Sequence, residues 1–344
     1  MKKTNFGKTT NGQTASLYSL ENDHIKIAIS DYGASLVELW VRDSQNRFTD
    51  IILGYEDVTG YEQDQGYYIG CNVGRCANRI HNAEFSLNGA TYPLDKNQGE
   101  NTLHSGFHPY SKRFWTVDEA DDTKIRFSLL SPDKDQGFPG NLHLTITYLL
   151  VDNTLKILYD GLSDADTILN MTHHSYFNLN GHGNGNILNH KVQICADTFV
   201  PIHANLIPDG SVRDVDHTPM DFRQFKILGK EIDTDYDQLN YAKGYDQTWC
   251  INEYDASLKE AVVVYSEDSG ITMSISTDYP GIQMYTANFL NKTLGKDGKH
   301  YDIREGVCFE PQFYPDAIHH AAYPQPILKA QQPFHKEILY HFDH

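Results

Sequence analysis

Short strand-like segments recur along this chain from one end to the other, separated by Asn, Asp and Gly, and that pattern leaves few folds open. Period-two alternation or β-branched and aromatic runs fall at His24 to Ser30, Ser35 to Val41, Lys124 to Leu130, Leu142 to Leu150, Leu155 to Tyr159, Ala261 to Tyr265 and Ile271 to Ser276. Their connections carry tight-turn chemistry: Asn88-Gly89, Asp152-Asn153 and E-D-S-G at Glu267 to Gly270. Helical three-four spacing is scarce, and the one segment expected to be helical is Asp221 to Leu228. The expectation is an all-β chain, a large antiparallel β-sandwich in which residues 1–344 form a single domain. The Gly-rich N-G-H-G-N-G-N at Asn180 to Asn186 is too short for a tether and lacks a phosphate-loop register, so it reads as a loop.

A net charge of −18 with no basic stripe argues against nucleic acid and anionic membrane surfaces, both of which draw on clustered Lys and Arg. The expected partner is a small neutral molecule, and the oligomeric state is not legible. No run of eighteen apolar residues could span a bilayer, and the Lys-containing N-terminus has no apolar stretch behind it. Cys71, Cys76, Cys195, Cys250 and Cys308 form an odd set without C-x-x-C, which reads as reduced thiols and a cytoplasmic location.

Polar chemistry concentrates in four segments. In T-H-H-S-Y-F-N, Thr172 to Asn178, two histidines stand in an apolar and aromatic run, where a buried imidazole must find a partner or stay neutral. Neighbours on a strand point to opposite faces, so only one of His173 and His174 can serve a given site. The companions are G-R-C-A-N-R-I at Gly74 to Ile80, N-T-L-H-S-G at Asn101 to Gly106 and C-F-E-P-Q at Cys308 to Gln312. His104 falls where a strand end meets a Gly turn, a place where a backbone can approach a ligand, although a lone His there is more often structural. Glu310, with Val, Cys and Phe before it and Pro after, sits where desolvation raises a carboxyl toward the range of a general base. An outward-facing Glu on an alternating strand is the competing reading. No H-x-H, H-E-x-x-H or Cys/His ligand spacing occurs, so neither a metal nor a cofactor is expected. A G-x-S-x-G elbow is absent, and no Cys has an adjacent basic partner.

The order and wording of these segments resemble the aldose 1-epimerase family, the galactose mutarotases. The likeness runs through G-R-C-A-N-R-I, N-T-L-H-S-G, T-H-H-S-Y-F-N-L, G-Y-D at Gly244 to Asp246, P-G-I-Q-M-Y-T-A-N-F at Pro280 to Phe289 and F-E-P-Q-F-Y-P-D-A at Phe309 to Ala317. The resemblance implies a single supersandwich that interconverts the α and β anomers of a free hexose, galactose or glucose, without metal or cofactor. It implies Glu310 as the base at the anomeric hydroxyl and His174 as the acid at the ring oxygen, expected as carboxylate and imidazolium. By the same resemblance His104 is the second site histidine, Arg79 and Asp246 grip sugar hydroxyls, and Asn78 and Gln283 line the pocket.

Gln247 after Asp246, His173 before His174, and the blurred turn in I-L-K-A-Q-Q-P-F depart from the family pattern. They bear on which sugar fits. Maltose, a phosphorylated sugar and a non-catalytic sugar-binding role are the alternatives; a matched acid and base argues against the last, because a binder has no use for them.

Overall fold

The computed structural model describes residues 1–344. Every strand expected from the sequence is present, within a few residues at its ends, and they assemble into antiparallel sheets. A five-stranded meander uses Lys2–Lys8, Thr14–Glu21, Lys26–Ser30, Leu36–Arg42 and Phe48–Asp50. The largest sheet has nine strands in the spatial order Thr116–Ala120, Lys124–Ser131, Leu142–Val151, Thr154–Ser163, Pro333–Asp343, Thr272–Thr277, Lys259–Tyr265, Lys191–Ile194 and Lys226–Ile227. The third, of six strands, runs Tyr176–Phe177, Val307–Gln312, Gly281–Tyr285, Asp246–Cys250, Thr198–Val200 and Arg213–Asp214.

The six-stranded sheet positions the chemistry, and its register explains how. Residues directly opposite one another share a face, as do residues two apart. Cys308 stands opposite Tyr285, which stands opposite Asp246; Glu310 stands opposite Gln283, which stands opposite Thr248. One face is therefore polar. The alternate residues Val307, Phe309, Met284, Ile282, Trp249 and Phe199 point the other way and belong to the main hydrophobic core. The reading of Glu310 as outward-facing fails here: all six residues of Val307–Gln312 are buried, because other segments cover the polar face.

Asp221 to Leu228 is not a helix. The Asp221 carboxylate accepts the Arg223 N–H at 3.1 Å and its guanidinium Nε–H at 2.9 Å, while the Phe222 carbonyl accepts the Ile194 N–H at 2.8 Å. Local side-chain bonding and pairing at the sheet edge thus outcompete the helix, and the segment ends as the short strand Lys226–Ile227. Two short helices form where none was expected, at Val58–Glu62 and Asp237–Ala242. Asn88 and Gly89, at φ 51° and 78°, join paired Leu87 and Ala90, as the turn chemistry required. The blurred turn before the last strand closes without Gly: Gln331 takes φ 60°, and the Gln332 N–H reaches the Lys329 carbonyl at 3.1 Å.

Candidate active site

His104, His174, Glu310, Arg79, Asn78 and Asp246, scattered over more than two hundred residues of sequence, all line one cleft of about 340 Å³. Strand Thr172–His174 pairs with Cys71–Val73 and brings His174 to the cleft. Arg79–Ile80 pairs with Thr102–Leu103, which places Arg79 beside the residue that precedes His104.

His104 takes φ 50° and is held by the Asn78 backbone from two directions: its N–H donates to the Asn78 carbonyl at 3.0 Å, and its Nδ1 accepts the Asn78 N–H at 3.1 Å. A backbone donor at Nδ1 fixes the tautomer, so neutral His104 carries its proton on Nε2. Burial, with His174 and Arg79 nearby, holds its pKa well below the usual imidazole value. His174 stands with Nε2 3.5 Å from Glu310 Oε1 and Nδ1 3.5 Å from the Cys308 sulfur. Burial pulls its pKa down to about 4, so the expected imidazolium is corrected: the free protein holds a neutral ring at neutral pH.

Glu310 is pushed well above the ordinary carboxylate range by burial and by the Asp246 charge, with Arg79 opposing. Its Oε2 has no hydrogen-bond partner. Asp246 is also raised by burial, against the pull of Arg79 and of the Gln283 amide, which donates to Oδ1 at 2.7 Å. Arg79 donates from Nε to Gln98 Oε1 at 2.7 Å and from one terminal nitrogen to Asn78 Oδ1 at 3.4 Å, and it forms no ion pair within the protein, although the cleft it lines also presents two carboxyls. Asn78 accepts the Arg79 N–H at 2.9 Å, tying the two lining residues together.

Gln283, expected to line the pocket, instead stands behind it: it accepts from the Thr248 hydroxyl and donates to Asp246. Gln247 is buried on the other face, accepting the Asp246 N–H and donating to the Gln238 carbonyl, so this departure braces Asp246 without shaping the cleft wall. His173 packs against Tyr148 in the interior. Cys308, read as having no basic partner, lies against His174 because the fold brings a residue 134 positions away; burial and the charges of Glu310 and Asp246 keep it a thiol. The ligand atoms of His174, Cys308 and Glu310 fall within 4.8 Å of one another, a grouping that no local spacing announces. Sequence reading missed Tyr68, Gln98, Leu206 and Phe289 in the lining; Tyr68 sits in D-Q-G-Y-Y, whose turn signal says nothing about where the ring goes.

Residues 16–341 match the family described as aldose 1-epimerase. The galactose mutarotase of Rattus norvegicus is 35% identical over 99% of this chain and 98% of its own, and the aldose 1-epimerase of Escherichia coli (strain K12) is 36% identical over 92% and 91%. The chain belongs to the aldose 1-epimerase family. It is an isomerase. Among solved structures, this aldose 1-epimerase superposes on the aldose epimerase homologue from C. elegans with a TM-score of 0.88 at 31% identity, covering 96% of this chain and 99% of that one. The galactose 1-epimerase from Lactobacillus acidophilus gives 0.86 at 25% identity, over 99% and 98%. No helix of this aldose 1-epimerase is long and apolar enough to cross a membrane.

Proposed function

We propose that this aldose 1-epimerase opens and recloses the ring of galactose or glucose with Glu310 as the base at the anomeric hydroxyl and His174 as the acid at the ring oxygen. One observation carries the assignment: Glu310 Oε1 lies 3.5 Å from His174 Nε2, while its buried Oε2 has no donor. A buried acceptor left unpaired is costly, and the anomeric O–H of a bound sugar supplies the missing bond.

The pKa directions define the proton flow. Burial disfavours the charged form of each group, raising Glu310 and lowering His174, so a proton shared by the pair prefers the carboxyl. The reacting form carries that proton on His174, leaving a carboxylate for O1–H. Ring opening moves the O1 proton to Glu310 and the His174 proton to the ring oxygen, which returns the pair to its neutral form. Rotation about C1–C2 and reclosure by the reverse transfers give the other anomer. Arg79 and Asp246 hold ring hydroxyls by charge-assisted hydrogen bonds, with Asn78 beside them, and His104 offers Nε2–H near the ring oxygen.

The relatives named for galactose support that sugar. The 340 Å³ cleft lies at the small end of the range for small-molecule sites and favours one hexose ring over maltose. Arg79 is the one Lys or Arg in the lining and faces two carboxyls, which disfavours a phosphorylated sugar. The reading also takes residues 1–344 as one domain and the cytoplasm as its place; the five free cysteines support the latter. The test is optical rotation of freshly dissolved α-D-galactose and α-D-glucose. Glu310→Gln should slow enzymatic relaxation by about 10²- to 10⁴-fold, the scale of one general base; a variant as fast as wild type sinks the assignment.

A further inference from the structure

Tyr68 lines the cleft with φ 56°, a left-handed conformation that is strained for a bulky residue. The turn that imposes it is built on one carboxylate. Asp64 Oδ1 accepts the backbone N–H groups of Gly66, Tyr67 and Tyr68 at 2.7, 2.7 and 3.2 Å. Its Oδ2 accepts the Tyr55 hydroxyl at 2.9 Å, and Lys112 Nζ donates to the carbonyls of Glu62 and Asp64, each at 3.1 Å. The far end is tied as well: the Tyr68 carbonyl accepts the Cys71 N–H at 3.2 Å, and the Gly70 N–H donates to the His174 carbonyl at 3.0 Å.

Held this way, the Tyr68 ring lies 4.6 Å from the His104 ring at 61° and 6.0 Å from the His174 ring, while the two imidazoles stand 5.6 Å apart at 82°. Were Tyr68 to relax to an extended conformation, its ring would leave both histidines and the wall of the cleft would open.

We propose that Asp64 is a positioning residue of the epimerase site: by gathering three successive amides it holds Tyr68 in its left-handed conformation, and Tyr68 in turn sets the angle of His104 against His174 and walls the sugar. The inference rests on the roles given to those histidines above. Asp64 does not line the cleft, so its effect on the two histidines is expected through Tyr68.

A double-mutant cycle reads that dependence, with kcat and KM measured by polarimetry on α-D-galactose for Asp64→Ala, Asp64→Asn, Tyr68→Ala and each double variant. Asp64→Ala and Tyr68→Ala should each lose about 10- to 100-fold in kcat/KM, the cost of displacing a catalytic group by about 1 Å. Asp64→Asn keeps a neutral acceptor and should fall between Asp64→Ala and wild type. On the Tyr68→Ala background both Asp64 deficits should vanish. A merely structural Asp64 would multiply its loss with that of Tyr68→Ala, and this outcome overturns the proposal, as does a folded Asp64→Ala with wild-type kcat/KM. If Asp64→Ala does not fold, Asp64→Asn with its double variant decides by the same rule. Failure of the site assignment would appear separately, as an active Glu310→Gln.

Discussion

At His173 both ring nitrogens are buried without a partner, an arrangement that tolerates only the neutral ring. Burial pulls its pKa to about 3, whereas the unfolded chain takes up the proton near the ordinary value of about 6.5. Below that value the unfolded state binds more protons, so the neutral-His contribution is whole above about pH 6.5 and is lost as pH falls toward 3, at about 1.4 kcal/mol per unit. His173→Phe, which keeps a ring against Tyr148, should raise the urea midpoint, and its advantage should widen between pH 6.5 and 5. An equal shift at both pH values would contradict this. That His173 and His174 face apart was legible, since strand neighbours point to opposite sides. The contacts of Tyr68 and Cys308 were not, because their partners lie 36 and 134 positions away.

At the level of elements, alternation found the strands but could not tell a solvated face from a covered one. Glu310 and Gln283 obey period two, yet both are buried, since the cover comes from loops and strands remote in sequence. Asp221 to Leu228 misled for a related reason: its periodicity is compatible with a helix, and only the bonds made by Asp221 and Phe222 decide otherwise. Gln283 shows what the sheet register does for the site. Gln283→Leu removes the donor to Asp246, a charged hydrogen bond worth about 1.5–3 kcal/mol. Because Gln283 does not line the cleft, KM should rise by about tenfold or more with kcat nearly unchanged. Steady-state polarimetry separates the two, and a collapse of kcat at constant KM would contradict that arrangement.

Across the whole molecule, a buried ion pair joins the five-stranded sheet to the segment after Thr293–Leu294. Lys296 Nζ donates to Asp50 Oδ2 at 2.5 Å and to the Val37 carbonyl at 2.6 Å, with both side chains at least nine-tenths buried. Removing one partner strands a charge, so Lys296→Met should destabilise by about 3–5 kcal/mol. Pairing it with Asp50→Asn should recover most of the loss. Urea unfolding of the three variants checks this, and a double variant no better than Lys296→Met would argue that the pair contributes through geometry instead of charge balance.

The nine-stranded sheet has a further consequence, for the order of folding. Strand Thr154–Ser163 is flanked on one side by its hairpin neighbour Leu142–Val151, but on the other by Pro333–Asp343, with Thr154 bonded to His341 187 positions later. That late strand also supplies the partner of Thr272–Thr277. Until it arrives, two strands that each carry one core-facing row of side chains present open edges in the middle of the eventual sheet, and closing so distant a contact is slow. A nascent or refolding chain is therefore most prone to stick to its neighbours just before this last insertion, and whatever shields those two edges governs how much active enzyme is recovered.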